Sequence, residues 1–148
     1  MREVAAGLRL LQRSTDAFDE AAAARLGLNR TDLRCLDLIL AEESLSAGAL
    51  TAAAKLSPAA TTTAIDRLER AGYVTRTRDA ANRRRVLVTA TEQARTAERE
   101  VYGPLAEAGA QALRRYTKDQ LALITGFLAT ACRVQEEQSA RISELPEA

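Results

Sequence analysis

Basic side chains cluster in the middle of this chain of 148 residues. Between positions 55 and 85 there are eight basic and three acidic side chains, a net charge of +5 in a chain whose total is +1. The basic members are Lys55, Arg67, Arg70, Arg76, Arg78, Arg83, Arg84 and Arg85. Guanidinium and ammonium groups donate hydrogen bonds to phosphate oxygens, and a basic centre between acidic arms indicates a nucleic-acid-binding segment. Charge alone fits an ordinary solvated surface equally well.

Residues suited to catalysis or metal binding are scarce. The chain has no histidine, which removes the commonest general base and metal ligand. It has no G-x-S-x-G, phosphate-binding loop or H-E-x-x-H motif. Cys35 and Cys132 are far apart, and we expect both to be small buried apolar residues without a redox role. The sequence therefore predicts a protein that is not an enzyme and has no metal site or cofactor.

The chain shows no sign of a membrane segment or a secretion signal. No apolar run approaches the ~20 residues that cross a bilayer. The first twenty residues carry charges throughout, without the uninterrupted apolar stretch of a signal peptide. We therefore expect a cytoplasmic protein that does not bind membranes.

Apolar residues recur at helical spacing in the first third of the chain. They predict a first helix from Val4 to Leu26. A second helix follows Asn29, a candidate N-terminal cap, and runs to about Glu43. A short third helix after Ser46 would turn Leu50 and Ala53 inward.

The fourth predicted helix has the clearest boundaries. Ser57 is suited to cap it, Pro58 suits its first position, and Gly72 supplies a left-handed stop. A core-facing stripe consists of Thr61, Ala64, Ile65 and Leu68. The other sides of the helix carry Ala59, Thr62, Thr63, Asp66, Arg67 and Arg70.

The periodicity then changes from helical to that of strands. Two segments rich in β-branched residues, Tyr73–Arg78 and Arg85–Thr89, predict a hairpin with an arginine-rich tip. Two more helices follow Thr91 and Thr117, the first expected to kink at Gly103-Pro104. Apolar residues make up 47% of the chain and aromatic ones 3%, so much of the apolar fraction is alanine, which favours helices. The predicted fold is mainly α with a small β-hairpin wing.

A short helix, a tight turn, a capped second helix and a basic hairpin form the layout of a winged helix-turn-helix. In such a domain the second helix fits the major groove and the hairpin tip reaches the adjacent minor groove. We therefore expect duplex DNA as the partner. The candidate contacts are Ser57, Ala59, Thr61, Thr62, Thr63, Arg67, Arg76, Arg78, Arg83, Arg84 and Arg85.

These residues also resemble a known family. The segment SAGALTAAAKLSPAATTTAIDRLERAGYVTRTRDAANRRRVLVTATEQAR is similar to the core of the MarR family of transcriptional regulators. Its most specific parts are SP-x5-AIDRLERAGYV, the R-D-x2-N-R-R wing and the exit strand VLVTAT. The resemblance covers residues 28–96 well. Lys55 stands where a glycine is common, and Thr63 where a large polar residue is frequent.

The resemblance implies a homodimer on pseudo-palindromic DNA. Residues 1–28 and 91–148 would form a helical dimerisation region, and residues 29–90 the DNA-binding domain. Many members are repressors that a small acidic or phenolic ligand releases, so a small-molecule effector is an expected partner. The family's peroxide sensors carry their reactive cysteine near the start of the chain, where this sequence has none.

Two other functions fit the residues. A helical structural module could dock an acidic protein on the basic hairpin. A chromosome-coating protein would bind duplex DNA without sequence preference. The salt dependence of duplex binding separates the first from a DNA-binding regulator, and competition with unrelated duplex separates the second.

Overall fold

The computed structural model describes residues 2–79, 82 and 86–145, and these are mainly helical. The elements are α1 (Arg2–Leu26), α2 (Arg30–Ala41), β1 (Ser44–Ser46), α3 (Ala47–Ala54), α4 (Pro58–Arg70), β2 (Val74–Arg78), β3 (Val86–Ala90), α5 (Glu92–Leu113) and α6 (Lys118–Ser143). The prediction of a mainly α fold with a small wing is confirmed. The chain divides into two compact units, one ending at Gly103 and the other starting at Pro104, so the division falls within α5. The expected kink there stays a prediction.

The core of the first unit lies between α2, α3, α4 and the sheet. Its most deeply buried large side chains are Leu36, Ile39, Leu50, Ile65, Leu68, Val74 and Val88. All four members of the stripe predicted for α4 are buried. The apolar surface removed from water here is the main term that stabilises the unit.

The sheet has one strand more than the predicted hairpin. Its order is β1-β3-β2, and both pairings are antiparallel. Val88 of β3 lies opposite Leu45 of β1 and Arg76 of β2. A three-residue strand is too short to show a period of two, so β1 left no pattern in the sequence.

The turn after α4 needs a glycine. Gly72 has a φ of 81°, in the left-handed region, as expected for the residue after a helix. A Cβ placed there would lie 2.7 Å from Oε1 of Gln93, whose Nε2 donates to the carbonyl of Ala71. The first turn of α5 therefore packs against the turn at Gly72 and orients β2 relative to α4.

Three details of the sequence prediction are wrong. The second helix ends at Ala41 rather than near Glu43, which itself has a φ of 59°. In α3 the inward residue beside Leu50 is Ala54, while Ala53 is exposed. Cys35 is fully buried as expected, but Cys132 is exposed in the single chain.

A smaller apolar cluster packs α1 onto α2 and the start of α5. It contains Ala22, Ala23 and Leu33, with the rings of Phe18 and Tyr102 at its edge, 5.4 Å between centroids. Because α1 contributes two of these buried alanines, the two helix backbones can approach closely. The first helix therefore belongs structurally to the first unit.

Asp37 of α2 lines a small pocket together with Leu33 and Asp19, and its environment opposes its charge. Burial, together with the charges of Asp19 and Glu98, raises the pKa of Asp37 from 3.8 to about 6. An acid whose pKa rises on folding holds its proton longer in the folded state than in the unfolded chain. The free energy of unfolding therefore falls as pH rises from 3.8 to about 6.

Asp37→Asn removes this titration. We expect the variant to be more stable than the wild type at pH 7, by about 0.5–1 kcal/mol because the carboxylate is partly solvated. Below the ordinary pKa of 3.8 the advantage should vanish, since both states are then protonated. Urea unfolding at several pH values measures it. A difference that does not change with pH would contradict the assignment.

The second unit contains the C-terminal half of α5 and all of α6. Thr117 caps α6 as predicted, and Gln120 completes a capping box by accepting from the Thr117 N–H at 2.9 Å. No residue of this 26-residue helix is buried within the chain. Within the described ranges, no helix combines the length and the apolar character that crossing a membrane requires.

Candidate nucleic-acid interface

The turn between α3 and α4 sets the angle of α4 relative to α3. Lys55 adopts a left-handed conformation, φ 53° and ψ 45°, and its N–H bonds back to the end of α3. A lysine lacks the freedom of glycine there, so the turn forms at a modest backbone cost. Thr51 Oγ1 then lies 3.0 Å from Thr61 Oγ1 and ties the two helices together.

The N-terminus of α4 is capped as the sequence predicted. Ser57 Oγ accepts from the N–H of Ala60 at 3.2 Å, and Pro58 occupies the first helical position. The N–H groups of a first turn and the helix dipole favour an anion nearby. Ser57 and Ala59 are both exposed at this end. This helix end therefore suits a phosphate group of a duplex.

Two exposed threonines follow on the outer face of α4. Thr62 Oγ1 donates to the carbonyl of Pro58 at 3.0 Å, and Thr63 Oγ1 donates to that of Ala59 at 2.9 Å. Their hydroxyl protons are therefore engaged within the helix. Each side chain presents a methyl group and an oxygen that can accept, which suits a thymine methyl and a base amino group.

Thr61 is a wrong prediction among the candidate contacts. Its side chain is fully enclosed, with 1% of the residue exposed, and its hydroxyl donates to the carbonyl of Ser57. A side chain that packs under α3 cannot reach a duplex. The sequence placed Thr61 on the core-facing stripe, and that placement is the correct one.

Arg67 bonds to a buried carboxylate of α2. Its Nε donates to Asp32 Oδ2 at 2.7 Å and its Nη2 to Oδ1 at 2.6 Å, while the Asp32 side chain is only 3% exposed. These hydrogen bonds raise the pKa of Arg67 above its ordinary value. The part of the guanidinium that faces inward is therefore engaged within the protein.

Arg76 is also engaged by carboxylates. It lies on β2 and pairs with Asp66 and Glu69, both on the outer side of α4. Two acids on a helix that approaches DNA would repel phosphates, and Arg76 offsets their charge. The pairs also join β2 to α4.

The other predicted contacts on the wing are Arg78, Arg83, Arg84 and Arg85. Arg78 ends β2 and is exposed. Arg83, Arg84 and Arg85 lie outside the described residues. Ser57, Ala59, Thr62, Thr63 and Arg78 thus lie on accessible surface, while Arg67 and Arg76 bind carboxylates of the protein itself.

Sequence reasoning missed the three acids that hold these arginines. Asp66 and Glu69 lie on α4, but Arg76, the arginine that pairs with both, lies on β2. Asp32 lies in the first turn of α2, where its N–H donates to Asn29 Oδ1 at 2.9 Å, and nothing near it in the sequence indicates Arg67 as its partner. A carboxylate among apolar neighbours in a core-facing position was the available signal, because such a group needs a cation.

A cavity opens in the first unit between α1 and the start of α5. Its volume is about 620 Å³, and its lining includes Phe18, Arg25, Leu26, Tyr73 and Val101. Tyr73 Oη donates to the carbonyl of Leu26 at 3.1 Å, which fixes one wall. The lining also holds the carboxylates of Glu92 and Glu100, so its apolar walls suit a small, largely apolar molecule rather than an anion. Among the described residues, no group of three or more metal-ligating side chains is present.

The chain is similar to known regulators in both sequence and structure. The model of the MarR family matches residues 28–86. The HTH-type transcriptional regulator YcgE of Bacillus subtilis is 35% identical over 136 residues, which cover 92% of this chain and 88% of that protein.

Solved structures of two further proteins share the fold. A mutant of MepR from S. aureus matches with a TM-score of 0.73 at 12% identity, over 89% of this chain and 96% of the other. The apo form of MarR from E. coli matches with a TM-score of 0.61 at 18% identity, over 84% and 93%.

Proposed function

Since this chain belongs to the MarR family of helix-turn-helix transcriptional regulators, we propose that it is a repressor that binds a pseudo-palindromic duplex as a homodimer. Regulators of this family bind DNA and are not enzymes. In the proposed complex α4 enters the major groove, and the wing of β2 and β3 reaches the adjacent minor groove.

The shape and chemistry of α4 support this proposal most strongly. The helix has a capped, exposed N-terminus at Ser57 and an outer face with Thr62 and Thr63, while its opposite stripe is buried. This arrangement leaves one face free along the helix and fixes its angle through the core. A helix of this kind can place phosphate contacts at its end and base contacts along its side.

The proposed contacts divide into two kinds. Ser57 and Ala59 border the phosphate at the start of α4, and Thr62 and Thr63 meet base edges. Arg78 on β2 lies beside the phosphate backbone, as does Arg76, which stays paired with Asp66 and Glu69 there. Arg83, Arg84 and Arg85 follow in the wing, where an arginine favours the negative potential of a narrow minor groove.

The proposed dimer uses the helices outside the winged domain. In α1 the side chains of Val4, Leu10 and Leu11 are exposed. In α6 the exposed apolar side chains are Leu123, Phe127, Leu128, Val134 and Ile142. Apolar surface on this scale marks an interaction site, and a second copy covers it symmetrically.

We expect sedimentation at micromolar concentration to give a mass of twice 16.0 kDa. The reason is that both copies would bury the apolar faces of their terminal helices. Leu128→Arg should shift the mass toward the monomer, while Leu87→Arg on the wing strand should not. A wild-type protein that stays monomeric would contradict the dimer and the two half-sites together.

An effector is the third part of the proposal. The cavity between α1 and α5 offers apolar walls together with Arg25, Glu92 and Glu100, so a small aromatic molecule with polar groups is the ligand class that it fits. Binding there would favour one placement of α1 and α5 and thereby release the operator.

Two measurements on the wild-type protein test DNA binding. Selection from random duplexes gives the preferred sequence, and a salt titration of that duplex gives the number of neutralised phosphates. The log–log slope should be about −0.9 for each phosphate contact.

The other possible functions predict different results. A protein-docking module would bind duplex weakly, without a steep salt dependence. A chromosome-coating protein would show the slope but bind unrelated duplex as tightly as the selected one.

A further inference from the structure

We infer that the Asp32–Arg67 pair is a positioning device that fixes the rotation of α4 about its own axis, and with it the side chains that face the duplex. In this role Arg67 is a positioning residue rather than a phosphate contact. The inference rests on the proposed function, since it concerns how α4 reads DNA.

The geometry of the pair is directional. Both Asp32 oxygens accept from Arg67, at 2.6 and 2.7 Å, in the two-point arrangement of a planar guanidinium and a carboxylate. The two groups must be nearly coplanar to keep both bonds. A lysine would hold the charge in place but would not define an angle.

The carboxylate end of the pair is immobile. Asp32 lies in the first turn of α2, where Asn29 caps its N–H, and the residue is 2% exposed. Its neighbours Leu33, Cys35 and Leu36 are buried in the core. Any rotation of α4 therefore has to break the bonds to Asp32 rather than carry Asp32 along.

Arg67 occupies the border between the two faces of α4. Leu68 next to it is fully buried, while Asp66 on its other side is exposed. The apolar side chains on the buried side, Ala64, Ile65 and Leu68, make non-directional contacts. Thr63 lies one turn before Arg67 on the same side of α4, so the ion pair adds a directional constraint close to Thr63.

The test compares two variants of the pair with two variants of a matched pair. Asp32→Asn and Arg67→Lys each break the two-point contact without removing a side chain. The controls are Asp16→Asn and Arg30→Lys, which alter an exposed pair of α1 and α2 with an N–O distance of 3.0 Å. Each protein is titrated with the duplex selected by the wild type and with an unrelated duplex of equal length.

The readout is the dissociation constant for the unrelated duplex divided by that for the selected duplex. An unfolded fraction lowers binding to both duplexes equally, so the ratio reports the placement of α4 and not stability. We expect Asp32→Asn and Arg67→Lys each to lower the ratio about tenfold or more, the size of one lost base contact. The controls should keep it. The ratio for the double variant, Asp32→Asn with Arg67→Lys, should fall no further than the ratio for either single variant, because both substitutions break the same interaction.

Two results would overturn the inference. One is an Asp32→Asn protein that keeps the wild-type ratio. The other is an Arg67→Lys protein that keeps the ratio while Arg67→Ala flattens the salt slope by about one unit, as loss of a phosphate contact would. If the wild type itself shows no salt-dependent binding to any duplex, the proposed function fails instead.

Discussion

Leu68→Ala lowers the free energy of unfolding by about 2–5 kcal/mol, the usual cost of truncating a leucine in a closed core. Leu68 is fully buried in the cluster that joins α2, α3 and α4 to the sheet. The removed side chain leaves a cavity that the surrounding elements cannot fill. At fixed protein concentration the melting temperature should fall by roughly 2–4 °C for each kcal/mol. Differential scanning calorimetry measures both quantities.

The control for Leu68→Ala lies on the opposite face of the same helix. Thr63→Ala removes an exposed side chain and should leave the melting temperature nearly unchanged while it weakens binding to the selected duplex. Leu68→Ala should instead bind that duplex with nearly wild-type affinity below its melting transition. If Leu68→Ala kept its stability and lost only DNA affinity, the assignment of the two faces of α4 would be wrong.

The double variant Asp66→Asn with Glu69→Gln binds duplex DNA more tightly than the wild type. Both carboxylates lie on the outer side of α4, and both pair with Arg76. Their neutralisation removes two charges that repel phosphates and frees Arg76 to contact the backbone. We expect roughly a tenfold gain in affinity for an unrelated duplex at low salt, and a log–log slope steeper by about one phosphate contact.

A matched pair of acids serves as the control for this gain. Asp16 and Asp19 of α1 hold Arg30 as Asp66 and Glu69 hold Arg76, at 3.0 and 3.9 Å. Asp16→Asn with Asp19→Asn changes the net charge by the same amount. If this control gains as much affinity as the α4 variant, the effect comes from the total charge of the protein. An unchanged slope in the α4 variant would mean that Arg76 does not reach phosphate.

Features that depend on neighbours in the sequence could be predicted from the sequence alone. The limits of α4 follow from Ser57, Pro58 and Gly72, because caps and left-handed stops are local hydrogen-bond and steric requirements. Its buried stripe follows from the helical period. The wing strands followed from runs of β-branched residues, within one residue of their observed limits.

Features that depend on contacts between distant segments were decided by the tertiary structure. Asp32 and Arg67 are 35 positions apart, and nothing in either segment indicates the other. The acids that pair with Arg76 lie on α4 rather than on its own strand β2, so the local sequence around Arg76 does not indicate that its charge is paired. Strand β1 exists only because β3 supplies its hydrogen-bond partners. Residue types and local spacing thus determined the limits and the exposed face of α4, the helix that we propose faces the duplex, while the packing of α2 and β2 against that helix decided which of the nearby charges remain available.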